Sequence, residues 1–165
     1  MIPVYSVVAY SGVGKTTLLE KLIPELKARG ARVAVIKHDA HDFEVDKEGK
    51  DTWRLTKAGA DMTLISNDRH AAIMENRPAD MGTLISMIHD VDVILTEGFK
   101  HGRGTKKIAL YRSAAGKGLP ESDTPFFAVM SDVPFCAQVP WLELDDAASL
   151  AEMIIKDIKK EPSAF

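Results

Sequence analysis

Ser11, Gly12, Val13, Gly14, Lys15 and Thr16 form a run whose residue types suit one task, the gripping of a polyphosphate. Small residues let the chain wrap a phosphate so that consecutive backbone N–H groups point inward, and a helix starting there adds its positive end. Lys15 then reaches the β and γ phosphates, and the Thr16 hydroxyl is suited to ligating Mg²⁺. Lys15 is thus also the candidate to stabilise charge on a transferring phosphoryl group. Thr17 is placed to touch the α phosphate. Ala9 stands where this pattern usually has its first glycine, a change a strand end accepts if φ stays negative.

A metal held by Thr16 needs an acidic partner at the C-terminal end of a neighbouring buried strand. The run Val91-Asp92-Val93-Ile94-Leu95-Thr96-Glu97-Gly98 offers Glu97, with Gly98 permitting close approach. Asp92, at the start of that run, falls at the opposite edge, because ligands of open α/β sheets gather at the carboxyl ends of the strands. Asp39 follows a second predicted strand by two residues, where it is a candidate to position the attacking water. Asp42 and Asp46 read as a solvated charge run, and His38 and His41 with Asp39 and Asp42 are too loosely spaced to define a metal site. Lys100, His101, Arg103, Lys106 and Lys107 make the densest basic patch, directly after Glu97-Gly98, and Lys100 is a candidate contact to nucleotide phosphates or another anion. The guanine-reading pattern Asn-Lys-x-Asp is absent. Asp132, after the apolar run 126–130, is the positional candidate for the base, and the residues leave GTP and ATP equally open.

The elements that position these groups follow from hydropathy. Residues 2–9 read as a buried strand and residues 16–29 as a helix with Leu18, Leu19, Leu22, Ile23 and Leu26 on one stripe. Pro24 is expected to bend or break that helix. A strand at 31–36 completes a right-handed crossover between parallel strands. A polar loop spans 37–50, then a short helix 51–58. Two apolar runs, 62–66 and 70–74, flank Asn67-Asp68-Arg69 as an antiparallel hairpin. Further on come a helix at 79–89, strands at 91–96, 108–111 and 126–130, an edge strand at 139–144 marked by Pro140, and a closing helix at 146–160. The predicted architecture is a single α/β domain over residues 1–165, a three-layer P-loop NTPase fold with a mostly parallel sheet and an antiparallel hairpin extension.

Composition narrows the partners. The 165 residues carry 21 Lys and Arg against 24 Asp and Glu, a net charge of -3, so the basic surplus of a phosphate-neutralising nucleic-acid binder is missing. Cys136 is the single cysteine, which excludes an internal disulfide or a multi-cysteine zinc site and suits a reducing, cytoplasmic compartment. Neither a secretory leader nor a 20-residue apolar span occurs, so no membrane role is expected.

Beyond the phosphate loop, the chain resembles the MobB family of small P-loop proteins associated with molybdopterin-guanine dinucleotide biosynthesis. The likeness lies in Ser11 through Leu19, Ile36-Lys37-His38, Val45-Asp46-Lys47-Glu48-Gly49-Lys50-Asp51, Lys57-Ala58-Gly59-Ala60, Glu97-Gly98-Phe99-Lys100 and Ser131-Asp132-Val133-Pro134. The resemblance implies a GTP-binding protein of weak GTPase activity that assists the guanylyltransferase attaching GMP to molybdopterin. It also implies a homodimer, for which the 62–74 hairpin is the natural exchange element. The basic patch and the 37–50 loop would then be contacts for the anionic pterin or the partner enzyme. The family resembles the nitrogenase iron protein and dethiobiotin synthetase. Relatives such as MinD place a second lysine early in the loop, where this chain has Tyr10, which argues against lysine-mediated activation across a dimer. No arginine finger is evident, so slow hydrolysis is expected.

Two other readings remain open on residues alone. A small-molecule kinase would use the same loop, with residues 100–107 as a lid over the transferring phosphate. A scaffold binding nucleotide only for stability would show partner affinity independent of GTP and Mg²⁺.

Overall fold

The computed structural model describes residues 1–39, 42–99, 102, 104–134 and 138–160. Along the chain run β1 (Val4–Val8), α1 (Lys15–Ala28), β2 (Val33–Lys37), α2 (Asp51–Lys57), β3 (Met62–Ser66), β4 (Ala71–Glu75), α3 (Met81–Ser86), β5 (Val93–Glu97), β6 (Lys106–Tyr111), β7 (Ala128–Ser131), β8 (Trp141–Glu143) and α4 (Ala147–Lys160). Contacts divide these into two compact units, one built from Met1–His38 and the chain from Leu84 onward, the other from Asp39–Thr83.

The first unit holds a six-stranded sheet of order β2-β5-β1-β6-β7-β8 in which every pairing is parallel. Burial on both faces explains why its central strands are apolar runs rather than alternations. One face packs under α1 and α4, with Tyr5, Val7, Leu95, Ile108 and Met130 meeting Leu22, Leu26, Leu150 and Ile154. The opposite face is covered more thinly. Val4, Ile36 and Ile94 meet Leu84, Ile85, Ile88 and Phe99, while Val8, Ala109 and Val129 lie under Leu119, Phe126 and Trp141. This is the layered α/β architecture expected of a P-loop NTPase.

Pro24 does not break α1, which runs on to Ala28. Pro24 and Glu20 both lie on the exposed side, so the carbonyl that loses its N–H partner faces water. The predicted 79–89 helix shrinks to Met81–Ser86, and the strand read at 91–96 is β5 at Val93–Glu97. Residues 90–92 instead form the turn into the sheet: Asp90 has φ 59°, and Asp92 binds Arg32 through its backbone N–H and side chain at 2.7–3.1 Å. That pairing holds the Asp92 carboxyl at about 2.

The second unit carries the antiparallel hairpin, and β3 and β4 make a two-stranded sheet of their own. Asn67 sets the turn, its side-chain oxygen accepting from the N–H groups of Arg69 and His70 at 2.8 Å. Thr63 is buried and meets Thr56 of α2 at 3.0 Å. Met62, Leu64, Ile65 and Ile73 are exposed.

Candidate functional site

The phosphate loop of the first unit leaves β1 at Val8 and enters α1 at Lys15. Gly12 and Gly14 have φ of 79° and 113°, values that turn the backbone tightly and that L side chains rarely adopt. Ala9 is buried, and Asp90 is the one non-glycine residue of positive φ among the described residues, so the alanine meets the condition its position sets.

No side chain of the loop or of α1 itself caps the helix start. Gly14 is the N-cap, no side chain caps it, and the first turn of α1 holds no acid. The first intrahelical bond runs from Leu18 N–H to Gly14 O at 2.9 Å. Helix geometry therefore leaves the preceding N–H groups, together with the positive end of the dipole, to an anion. The Lys15 ammonium folds back over the loop entry and donates to the carbonyls of Ala9 and Tyr10 at 3.4 and 3.3 Å. Both bonds are long, so little holds the ammonium there against a phosphate.

Thr16 meets Glu97 at this edge. Register places Glu97 opposite Val7 of β1 and Lys37 of β2, at the carboxyl ends of three adjacent strands. The Thr16 hydroxyl lies 3.0 Å from both Glu97 carboxylate oxygens. A hydroxyl and a carboxylate converging beside a phosphate loop form a hard oxygen donor set, the kind Mg²⁺ prefers. The approach depends on Gly98. Its φ is 106°, and a Cβ there would stand 2.4 Å from the His38 carbonyl oxygen. The strand ends close tightly there, with His38 N–H donating to Glu97 O at 2.8 Å.

β6 follows β5 in the chain and pairs with β1 on its other side. A buried hydroxyl chain runs from β5 through β1 to the residue before β6: Thr96 donates to Ser6 at 2.8 Å, and Ser6 donates to Thr105 at 2.9 Å. Ser6 and Thr96 are both buried, so the chain satisfies polar groups that the core would otherwise penalise. Lys100, His101 and Arg103, within the predicted basic patch, lie outside the described residues, whereas Lys107 is buried in β6 and paired with Asp123. Lys106 binds Asp157 at 2.6 Å. These two lysines belong to the sheet and not to a ligand-facing patch.

Asp39 opens the second unit, two residues after the end of β2. Asp132 follows β7 at the carboxyl edge, where both its oxygens accept from Ser113, one from the N–H and one from the hydroxyl, each at 2.8 Å. These bonds hold its carboxyl below the usual carboxylate range. Beside the Thr17 side of the loop opens a small cleft whose walls include Val13, Thr17, Lys21, Arg112, Leu144 and Asp145.

Residues 4–132 match the MobB family, described as molybdopterin guanine dinucleotide synthesis protein B. The chain belongs to the MobB family. Among its relatives, a molybdopterin-guanine dinucleotide biosynthesis adapter protein of Escherichia coli K12 is 43% identical over 169 residues, covering 98% of this chain and 96% of that protein. One of the same description from Haemophilus influenzae is 42% identical over 157 residues, 93% of this chain and 88% of the other. A crystal structure of molybdopterin-guanine biosynthesis protein B superposes with a TM-score of 0.73 at 26% identity over 94% of this chain and 99% of that one. The crystal structure of Bacillus subtilis MobB gives 0.76 at 24% identity over 94% and 97%, a likeness of fold.

Lys21, Arg112 and Asp145 of this MobB chain had no marker as site residues in the sequence. Arg112 and Asp145 stand just past the ends of β6 and β8, and that position at the carboxyl edge is the signal they do carry. Ser6, Thr96 and Thr105 sit within or beside apolar strand runs, and only their mutual distances reveal the chain they form.

Proposed function

We propose that this MobB chain is a GTP-binding adapter in molybdopterin-guanine dinucleotide biosynthesis, with weak Mg²⁺-dependent GTPase activity. It would assist the guanylyltransferase that attaches GMP to molybdopterin, in the cytoplasm. Family membership and relatives that carry the adapter description over nearly the whole chain support the pathway. The observation that carries the nucleotide part is the Thr16 hydroxyl at 3.0 Å from both oxygens of Glu97, beside an uncapped helix start.

In this reading Ser11, Gly12, Val13, Gly14, Lys15, Thr16 and Thr17 hold the phosphates. Thr16 and Glu97 would hold Mg²⁺, which when bound supplies charge neutralisation at the phosphate oxygens. Lys15 leaves its two long carbonyl contacts to stabilise the γ phosphate. Asp39 is assigned to the attacking water and Lys100 to an anionic contact. Arg112 lines the cleft beside Thr17, which in this reading directs it to the α phosphate and nucleoside, and slow turnover is expected where no arginine donor meets the charge developing at the γ phosphate.

The hairpin supports a homodimer. Its two strands pair only with each other among the described residues, and four large apolar side chains are exposed on it. Open strand edges with apolar faces invite a second chain. Among the described residues no helix is long and apolar enough to cross a membrane.

Calorimetric titration with GTP, GDP and ATP, with and without Mg²⁺, tests the nucleotide reading. Binding of GTP strengthened by Mg²⁺ and release of labelled phosphate to water are expected. Absence of triphosphate binding, or transfer of the label to a small acceptor, overturns it.

A further inference from the structure

Resting on the guanine-nucleotide reading above, we propose that Asp145 is the carboxylate that recognises the guanine base, in the cleft beside the phosphate loop. In that reading the α phosphate sits at Thr17, and Thr17 itself lines the cleft, so the cleft adjoins the place from which the nucleoside extends. Val13 and Leu144 supply apolar wall for the faces of a purine, and Arg112 adds a planar cation able to stack on it.

Guanine shows two adjacent donors, N1–H and the 2-amino group, which one ionised carboxylate accepts together. Adenine has an acceptor and a C–H at the same places. Asp132, Asp145 and Asp146 follow the last residues of β7 and β8 at this edge. Asp132 spends both oxygens on Ser113 and does not line the cleft. Asp146 caps α4, accepting from Ser149 N–H at 3.0 Å. Asp145 does line the cleft, and its contact with the Lys21 ammonium, at 2.7 Å, falls on one oxygen. A carboxylate has about four acceptor positions, so that contact fixes the rotamer while leaving room for the base. The hydrogen bond from Lys21, with the charges of Lys21 and Arg112, keeps the group ionised well below neutral pH.

The test is calorimetric titration of the full chain with the Mg²⁺ complexes of GTP, XTP, ITP and ATP, for the native protein, Asp145→Asn and Asp132→Asn. Xanthine replaces the 2-amino donor with an oxygen acceptor, and an asparagine amide accepts from N1–H while donating to that oxygen. Native protein is expected to favour GTP over ATP and XTP by at least tenfold and over ITP by roughly tenfold, as hydrogen bonds to a charged group are worth. Asp145→Asn is expected to weaken GTP at least tenfold and to tighten XTP, reversing their order. Asp132→Asn is expected to keep the native order. Equal native affinity for GTP and ATP, an unchanged GTP to XTP ratio in Asp145→Asn, or a uniform loss for all four nucleotides overturns the assignment. If native protein binds GTP in a Lys15-dependent way while Asp145→Asn leaves the ratio alone, the assignment fails and the GTP reading stands. If native protein binds no nucleotide, both fail.

Discussion

Replacing Gly98 by alanine tests whether the closeness of two strand ends positions the metal carboxylate. The substitution adds one carbon to a backbone at φ 106°, a conformation that costs L residues on the order of 1–3 kcal/mol. That carbon would lie 2.4 Å from the His38 carbonyl oxygen, which is backbone and has no rotamer to move. Relief requires the ends of β2 and β5 to part by roughly 0.6 Å, which stretches the 2.8 Å bond from His38 N–H to Glu97 O and forfeits up to about 1 kcal/mol. The sum is about 1–4 kcal/mol of stability, read as a lower urea midpoint at unchanged slope. Gly30→Ala is the control, since its φ is 84° but nothing lies within 4 Å of its added carbon, so only the backbone share of the loss is expected. The same movement carries Glu97 away from Thr16, so the enhancement of GTP affinity by Mg²⁺ should shrink even in Gly98→Ala molecules that remain folded. A Gly98→Ala protein as stable as Gly30→Ala, with native metal coupling, would refute the reasoning.

Other expectations concern single side chains. Lys15→Ala should lower triphosphate affinity about a hundredfold, near 2.7 kcal/mol, and leave the urea midpoint almost unchanged, because its ammonium makes only 3.3–3.4 Å contacts. Glu97→Gln keeps an acceptor for the Thr16 hydroxyl but loses the charge, so GTP affinity measured without Mg²⁺ should hold while its enhancement by Mg²⁺ falls at least tenfold. Asp92 is depressed from 3.8 to about 2 by Arg32, so the stability it contributes is complete above pH 4 and is lost as pH falls toward 2. Both partners are partly exposed, and screening reduces that contribution to about 1 kcal/mol. Denaturation midpoints followed from pH 5 to 2 should drop more steeply for native protein than for Asp92→Asn, and parallel curves would contradict this.

What could be read in the sequence was what depends on near neighbours in the chain. Ser11 through Thr16 carries its own geometry, and the place of Glu97 beside Thr16 is legible because a buried parallel strand delivers its last residue to the carboxyl edge. Asp92 was excluded by the same logic, and its partner Arg32 sits at the start of the neighbouring strand. The failures have the opposite character. Whether Pro24 breaks a helix depends on which way the Glu20 carbonyl faces, and that is fixed by tertiary packing. Lys106 and Lys107 count in the sequence as part of the densest basic patch, yet β6 begins at Lys106 and draws both into the sheet, against Asp157 and Asp123. Asp145 lies 124 residues from Lys21, and no local pattern announces such a meeting.

The first unit divides its polar groups between two edges of one sheet, and the division has a physical cause. At the amino edge the polar side chains are spent on each other: Arg32 on Asp92, and Tyr5 and Lys106 on Asp157 at 2.5 and 2.6 Å. These contacts join β1, β2, β5 and β6 to one another or to the end of α4. Around the phosphate loop the carboxyl edge holds instead an uncapped helix start, a lysine on two long contacts and a carboxylate shared with one hydroxyl, while Asp132 and Asp145 at the same edge are bonded to Ser113 and Lys21. Groups left so weakly satisfied cost stability in the free protein, and the same lack of commitment lets a polyphosphate recruit them without first breaking strong bonds. Strengthening the internal contacts of the carboxyl edge should therefore raise stability and weaken nucleotide binding together, whereas weakening the amino edge should lower stability with affinity nearly intact.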